Sequence, residues 1–133
     1  MLSQKINIIS RNKIEDSRGW FLKTLTGKEN HLSMQIGEIY LTVAKPGAAK
    51  GAHYHNQAQE WFTLLHGECI LKLVDIDTKE EMSLHLSDSL HQTIHIPVKV
   101  AHIFINIGAE DFSLLAYSDM LYDPSDTIPF PFL

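Results

Sequence analysis

Apolar residues in this chain recur at every second position rather than every third or fourth, the signature of half-buried strands rather than amphipathic helices. Ile6, Ile8 and Ser10 predict a first strand, and Trp20, Leu22 and Thr24 a second, entered through the turn-forming run Asp16-Ser17-Arg18-Gly19. Further on, Ile39, Leu41 and Val43 share one face of a strand over 36–43. Lys45-Pro46-Gly47 ends it, because proline fixes φ and glycine permits a positive φ. Residues 60–65 and 69–74 flank the short link His66-Gly67-Glu68 and are expected to pair as a hairpin. Past the polar run 75–81, the sets Met82, Leu84, Leu86, then Ile94, Ile96, Val98, then Ile103, Ile105, Ile107 each predict one strand, and 112–117 a last one. About nine or ten short strands at spacings near ten residues imply an all-β sandwich or barrel such as a jelly roll. The tail from Asp123 to Leu133 is too proline-rich for a central strand and is expected to pack as an extended arm.

Composition narrows this picture. With 133 residues and 44% in the hydrophobic set, the chain suits one core, so a single domain is expected over 1–133. The formal charge is -5, from 11 Lys+Arg against 16 Asp+Glu, which argues against the basic face that nucleic-acid binding needs. No stretch approaches the roughly 20 apolar residues of a membrane span, and the first residues lack the apolar run of a signal peptide. The one cysteine, Cys69, excludes an internal disulfide and fits a reducing compartment, so a cytoplasmic protein with no nucleic-acid or membrane partner is expected. Against that one cysteine stand 8 histidines, and their positions carry the chemistry.

His53 and His55 point to the same face of an extended strand, roughly 7 Å apart at Cα, so two imidazoles can converge on one ion. Glu60 follows the polar corner Asn56-Gln57-Ala58-Gln59, which can bring its carboxylate beside them, and His102 offers a third imidazole. Neutral imidazole and carboxylate suit a borderline divalent cation, with positions left open for substrate. His31, His66, His85, His91 and His95 lack such spacing and are read as surface or packing residues.

The full spacing is G-x5-H-x-H-x4-E-x6-G from Gly47 to Gly67, followed by P-x4-H-x3-N at Pro97, His102 and Asn106. It resembles the two signature motifs of the cupin superfamily, with His91 and Lys99 standing where the second motif has glycines. The resemblance implies a cupin jelly roll whose metal ligands are His53, His55, Glu60 and His102. The implied ion is divalent, zinc before iron, manganese or nickel.

Three further segments, Asp16-Ser17-Arg18-Gly19-Trp20-Phe21, Lys50-Gly51-Ala52-His53-Tyr54-His55 and 117–127 with its Tyr122-Asp123-Pro124, resemble the nucleotide-sugar epimerase cupins. These include the carboxy-terminal cupin domain of bifunctional capsular polysaccharide-synthesis enzymes and, more distantly, the dTDP-4-dehydrorhamnose 3,5-epimerases. The resemblance implies a homodimeric epimerase or isomerase in surface polysaccharide synthesis, acting on a nucleotide-linked 4-keto-6-deoxy sugar. Such chemistry removes and returns a proton beside the ketone and needs a base, an acid and a stabiliser of the enolate. In the metal-free relatives the position of His53 is the base and, less directly matched, that of Tyr122 the acid; His53 fills the base role here only if no metal binds. Tyr54 is a further catalytic candidate, with Tyr40 and Tyr117 also open. Arg18, Lys23 and Lys50 offer positive charge to a diphosphate. Two other readings share the ligand set: an oxygen-activating cupin, and a non-catalytic sugar-binding cupin.

Overall fold

The computed structural model describes residues 1–33 and 35–132. Its strands are β1 (Asn7–Ser10), β2 (Ile14–Asp16), β3 (Gly19–Phe21), β4 (Glu38–Ala44), β5 (Ala49–Tyr54), β6 (Glu60–His66), β7 (Glu68–Asp75), β8 (Glu81–Ser87), β9 (Gln92–Ile96), β10 (Val100–Asn106), β11 (Phe112–Ser118) and β12 (Ile128–Pro129). One five-stranded sheet has the order β1-β9-β6-β11-β4 and a second the order β12-β5-β10-β7-β8, while β2 and β3 form a separate two-stranded ribbon. The inward-facing residues Phe62, Leu64, Ile94 and Leu114 of the first sheet meet Leu71, Leu73, Val100 and Phe104 of the second in one core. Each such buried side chain contributes about 1.5–3 kcal/mol relative to exposure. The architecture is a jelly-roll sandwich, two five-stranded antiparallel sheets packed face to face over this core.

The structure corrects one sequence expectation. Strands β6 and β7 do not pair: β6 lies between β9 and β11 in the first sheet, and β7 between β10 and β8 in the second. Their short glycine link is a corner between sheets, not a hairpin turn. Gly67 takes φ +98°, and a Cβ there would come within 2.9 Å of Phe112 Cα, so the chain changes sheets where only glycine fits. Both faces of β6 are covered, which explains its unbroken buried run from Glu60 to Leu64.

A further difference concerns which face is inside. On β4 the apolar set Ile39, Leu41 and Val43 faces outward, with Ile39 69% exposed, while Ala44 faces the core. At the start of the chain, Leu2–Lys5 forms a single helical turn, α1, that buries Leu2. In the tail, Pro124–Asp126 makes a 3-10 turn, and β12 then pairs with the edge of β5, with the Phe130 N–H donating to the Ala52 carbonyl. Leu133, the end of the predicted arm, lies outside the described residues. Among the described residues no helix is long and apolar enough to cross a membrane.

Candidate active site

The site is assembled at one end of the sandwich from both sheets. On β5, Gly51 (φ +107°) and Ala52 (φ +65°) kink the strand where the register against β10 shifts between His102 and Ile103, and this sets His53 opposite His102. A Cβ on Gly51 would lie 2.7 Å from the His102 carbonyl oxygen, so the close approach of the two ligand strands depends on glycine. The polar corner after His55 is built around a residue about seventy positions downstream. The buried Asp126 carboxylate accepts the backbone N–H groups of Asn56 and Gln57 at 2.9 Å and of Ala58 at 3.0 Å. Asp119 accepts the Gln59 N–H at 2.9 Å, and Glu60 then enters β6 on its inner face.

The ligand-type atoms of His53, His55, Glu60 and His102 all lie within 4.8 Å of one another. His55 Nδ1 donates to the Asp126 carbonyl at 2.9 Å and His102 Nδ1 to the Val100 carbonyl at 3.1 Å. A carbonyl only accepts, so each ring carries its proton on Nδ1 and turns an Nε2 lone pair into the site. Glu60 Oε1 sits 3.0 Å from His55 Nε2 and 3.5 Å from His102 Nε2. All three of these atoms are buried without a hydrogen bond. Lone pairs converging in this way need a cation or a shared proton between them. Separations of 3.0 and 3.5 Å are those of neighbouring ligands on an ion with bonds of about 2.0–2.2 Å. The residues therefore fit a divalent cation.

The electrostatics follow from this crowding. Burial, then the nearby His102 and His55 rings, pushes His53 down to about 4, so it is neutral at physiological pH. Burial works to raise the Glu60 carboxyl, but His102 and His55 outweigh it and hold Glu60 well below the usual carboxylate range. Burial works to lower His55, yet Glu60 and Asp126 raise it above its ordinary value. The other Glu60 oxygen, Oε2, accepts the Tyr40 hydroxyl at 2.9 Å. Burial and the Glu60 charge raise that phenol far above its normal range, so Tyr40 serves as a donor and not as a base.

A cavity of about 190 Å³ opens beside the cluster, lined in part by Glu38, Tyr40, His53, Glu60, Tyr122 and Asp123. Of the predicted site residues, the four ligands come together and Tyr122 stands at the rim, 69% exposed. Tyr54 pairs with Ile128 of β12 and does not line the cavity. Tyr117 donates its hydroxyl to the Gln35 carbonyl on the other face of the sheet. The exposed Arg18 lies in the β2–β3 ribbon, held by Asp16 at 2.6 Å, and neither it nor the exposed Lys23 and Lys50 lines the cavity. Sequence reasoning missed Glu38, Asp119 and Asp126. Only the Asp-Pro-x-Asp run around Pro124 offered a signal, as a capped turn.

The polysaccharide biosynthesis C-terminal domain family matches residues 14–128, a span that includes every residue of the site. The chain belongs to this family. As a polysaccharide biosynthesis C-terminal domain it is 26% identical over 117 residues to the spore coat polysaccharide biosynthesis protein SpsL of Bacillus subtilis, covering 84% of this chain and 77% of that one. It is 22% identical over 108 residues to the UDP-2-acetamido-2,6-beta-L-arabino-hexul-4-ose reductase of Pseudomonas aeruginosa. That match covers 81% of this chain and 27% of the longer relative. Its fold is that of the dTDP-6-deoxy-D-glucose-3,5-epimerase RmlC of Legionella pneumophila, solved with dTDP-4-keto-L-rhamnose. The TM-score is 0.85 at 21% identity, over 97% of this chain and 74% of that one.

Proposed function

We propose that this cupin is an epimerase or isomerase of a nucleotide-linked 4-keto-6-deoxy sugar in surface polysaccharide synthesis. In this reading it acts as a cytoplasmic homodimer, with His53, His55, Glu60 and His102 holding a divalent cation. The observation that carries the reading is the convergence of His55 Nε2, Glu60 Oε1 and His102 Nε2, buried and unpaired, beside a cavity in a polysaccharide-biosynthesis domain. The names of the relatives, a spore coat polysaccharide protein and a dTDP-sugar epimerase among them, support the substrate class.

The cavity, about 190 Å³, is smaller than the roughly 300–1,000 Å³ of drug-sized sites, so it suits a sugar ring with the nucleotide lying outside. A bound cation would supply Lewis-acid polarisation of the ketone, making the neighbouring C–H more acidic. Tyr40 fixes the Glu60 carboxylate through Oε2, leaving Oε1 aimed at the histidines. Asp126 and Val100 fix the His55 and His102 tautomers through their carbonyls. Tyr122 is the acid that returns a proton from the open rim. The other route, with His53 as base, requires the ring to be free of metal.

Two measurements test the reading together. Metal analysis of the purified protein is expected to find close to one divalent ion per chain, lost in His102→Ala. Incubation with UDP- or dTDP-4-keto-6-deoxyhexoses in D2O is expected to place deuterium beside the ketone. A protein that binds no divalent ion overturns the ligand assignment, and no exchange with any of these sugars overturns the epimerase reading.

A further inference from the structure

The ligand cluster leaves the general base unassigned, and the structure supplies a candidate outside the cupin motifs. Glu38 begins β4, and its Cα register places it opposite Ser118 of β11, which is itself opposite Glu60 of β6. Residues in one such row share a face of the sheet, so Glu38 projects to the same side as Glu60, two strands away, about 9–10 Å at the backbone. Both line the cavity. A carboxylate at that remove can reach a carbon beside a carbonyl that is itself directed at the cluster.

The other groups around the cavity are engaged. Asp126 accepts three backbone N–H groups. Asp123 caps its own 3-10 turn, its Oδ1 accepting both the backbone N–H and the hydroxyl of Ser125. Glu60 lies among the three imidazoles, and Tyr40 donates its hydroxyl to Glu60. Like Asp123, Glu38 keeps one oxygen, Oε2, without a hydrogen bond among the described residues; what sets it apart is that it shares the register row of Glu60 and that its Oε1 accepts the backbone N–H of Tyr122. The Tyr122 contact anchors the carboxylate while leaving one oxygen free to take a proton, and it ties the candidate acid and the carboxylate to one piece of backbone.

We infer that Glu38 is the general base of the epimerisation, an assignment that rests on the reading of the site given above. The C–H bond beside the ketone breaks, its proton moves to Glu38 Oε2, and its electron pair becomes the enolate. The Tyr122 hydroxyl then delivers a proton to the opposite face of that carbon. Water at the open rim reprotonates the phenolate and accepts the proton held by Glu38, which restores both groups. Glutamate is a competent base for such a carbon acid once the carbonyl is polarised.

The test is Glu38→Gln, which keeps a carbonyl oxygen for the Tyr122 N–H, alongside Glu38→Asp. Deuterium incorporation into UDP- and dTDP-4-keto-6-deoxyhexose is followed in D2O by NMR. Bound metal and the Co(II) absorption spectrum are measured on the same samples. Loss of a general base predicts that kcat for exchange falls about 10²–10⁴-fold in Glu38→Gln, with KM, metal content and Co(II) spectrum unchanged. Glu38→Asp retains part of the rate. Exchange in Glu38→Gln within about threefold of wild type overturns the base assignment while leaving the epimerase reading standing. A parallel loss of metal and activity also overturns it, by making Glu38 a structural support of the cluster. Wild-type protein that exchanges none of these sugars overturns both.

Discussion

Replacing Asp126 by alanine isolates how far the tail holds the ligand corner. The carboxylate is 6% exposed and accepts three backbone N–H groups. Ala58 is buried, so its N–H is left without a partner, at about 1–3 kcal/mol. Asn56 and Gln57 are exposed, and water replaces the lost acceptor there, leaving about 0.5–1.5 kcal/mol for each. The sum is about 2–6 kcal/mol, large against the 5–15 kcal/mol that holds an ordinary domain together. The corner also orients His55 and Glu60, so metal affinity is expected to fall about 10–100-fold, the usual effect of losing a group that orients a ligand. Urea unfolding with the slope checked for constancy gives the first quantity, and chelator competition for Co(II) or Zn(II) gives the second. Asp126→Ala protein within about 0.5 kcal/mol of wild type and with unchanged metal affinity would refute the reasoning.

Two other outcomes are expected. Gly51→Ala places a Cβ 2.7 Å from the His102 carbonyl oxygen at a φ of +107°, so it is expected to destabilise the protein by about 2 kcal/mol or more and weaken metal binding; a thermal midpoint equal to wild type would contradict this. His95, packed between Trp61 and His31, is pushed by burial, and then by His31, to about 4 from its ordinary 6.5. A histidine held neutral in this way adds stability that is complete above the unfolded value near 6.5 and is lost as pH falls toward 4. His95→Phe is therefore expected to flatten the loss of stability between pH 6.5 and 4, measured by urea unfolding at each pH; an unchanged slope would remove His95 as its source.

Most strands were legible in the sequence from alternation, and the clustering of His53, His55, Glu60 and His102 from the spacing of their motifs. Two histidines one residue apart on a strand, a glutamate past a corner and a distant third imidazole are legible as a pattern before any contact is known. What it withheld was long-range. Gly67 reads as a hairpin turn until Phe112, packed against it, forces a corner between sheets. The alternation of Ile39, Leu41 and Val43 locates a strand but not its inner face, since here Ala44, not the apolar set, lies against the core. Glu38, Asp119 and Asp126 acquire their roles from partners 84, 60 and about 70 positions away, and no spacing rule marks them.

The four candidate ligands are divided between the sheets: His53 and His102 stand on β5 and β10, His55 directly follows the end of β5, and Glu60 stands on β6. The site therefore exists only where the two layers are docked, and a chain with either sheet formed alone has a fraction of it. A cation held there would act as a clasp across the mouth of the sandwich, binding the folded chain in preference to partly assembled ones and so opposing separation of the layers. Occupancy would then register folding itself, because only a chain with both layers docked presents all four candidate ligands together.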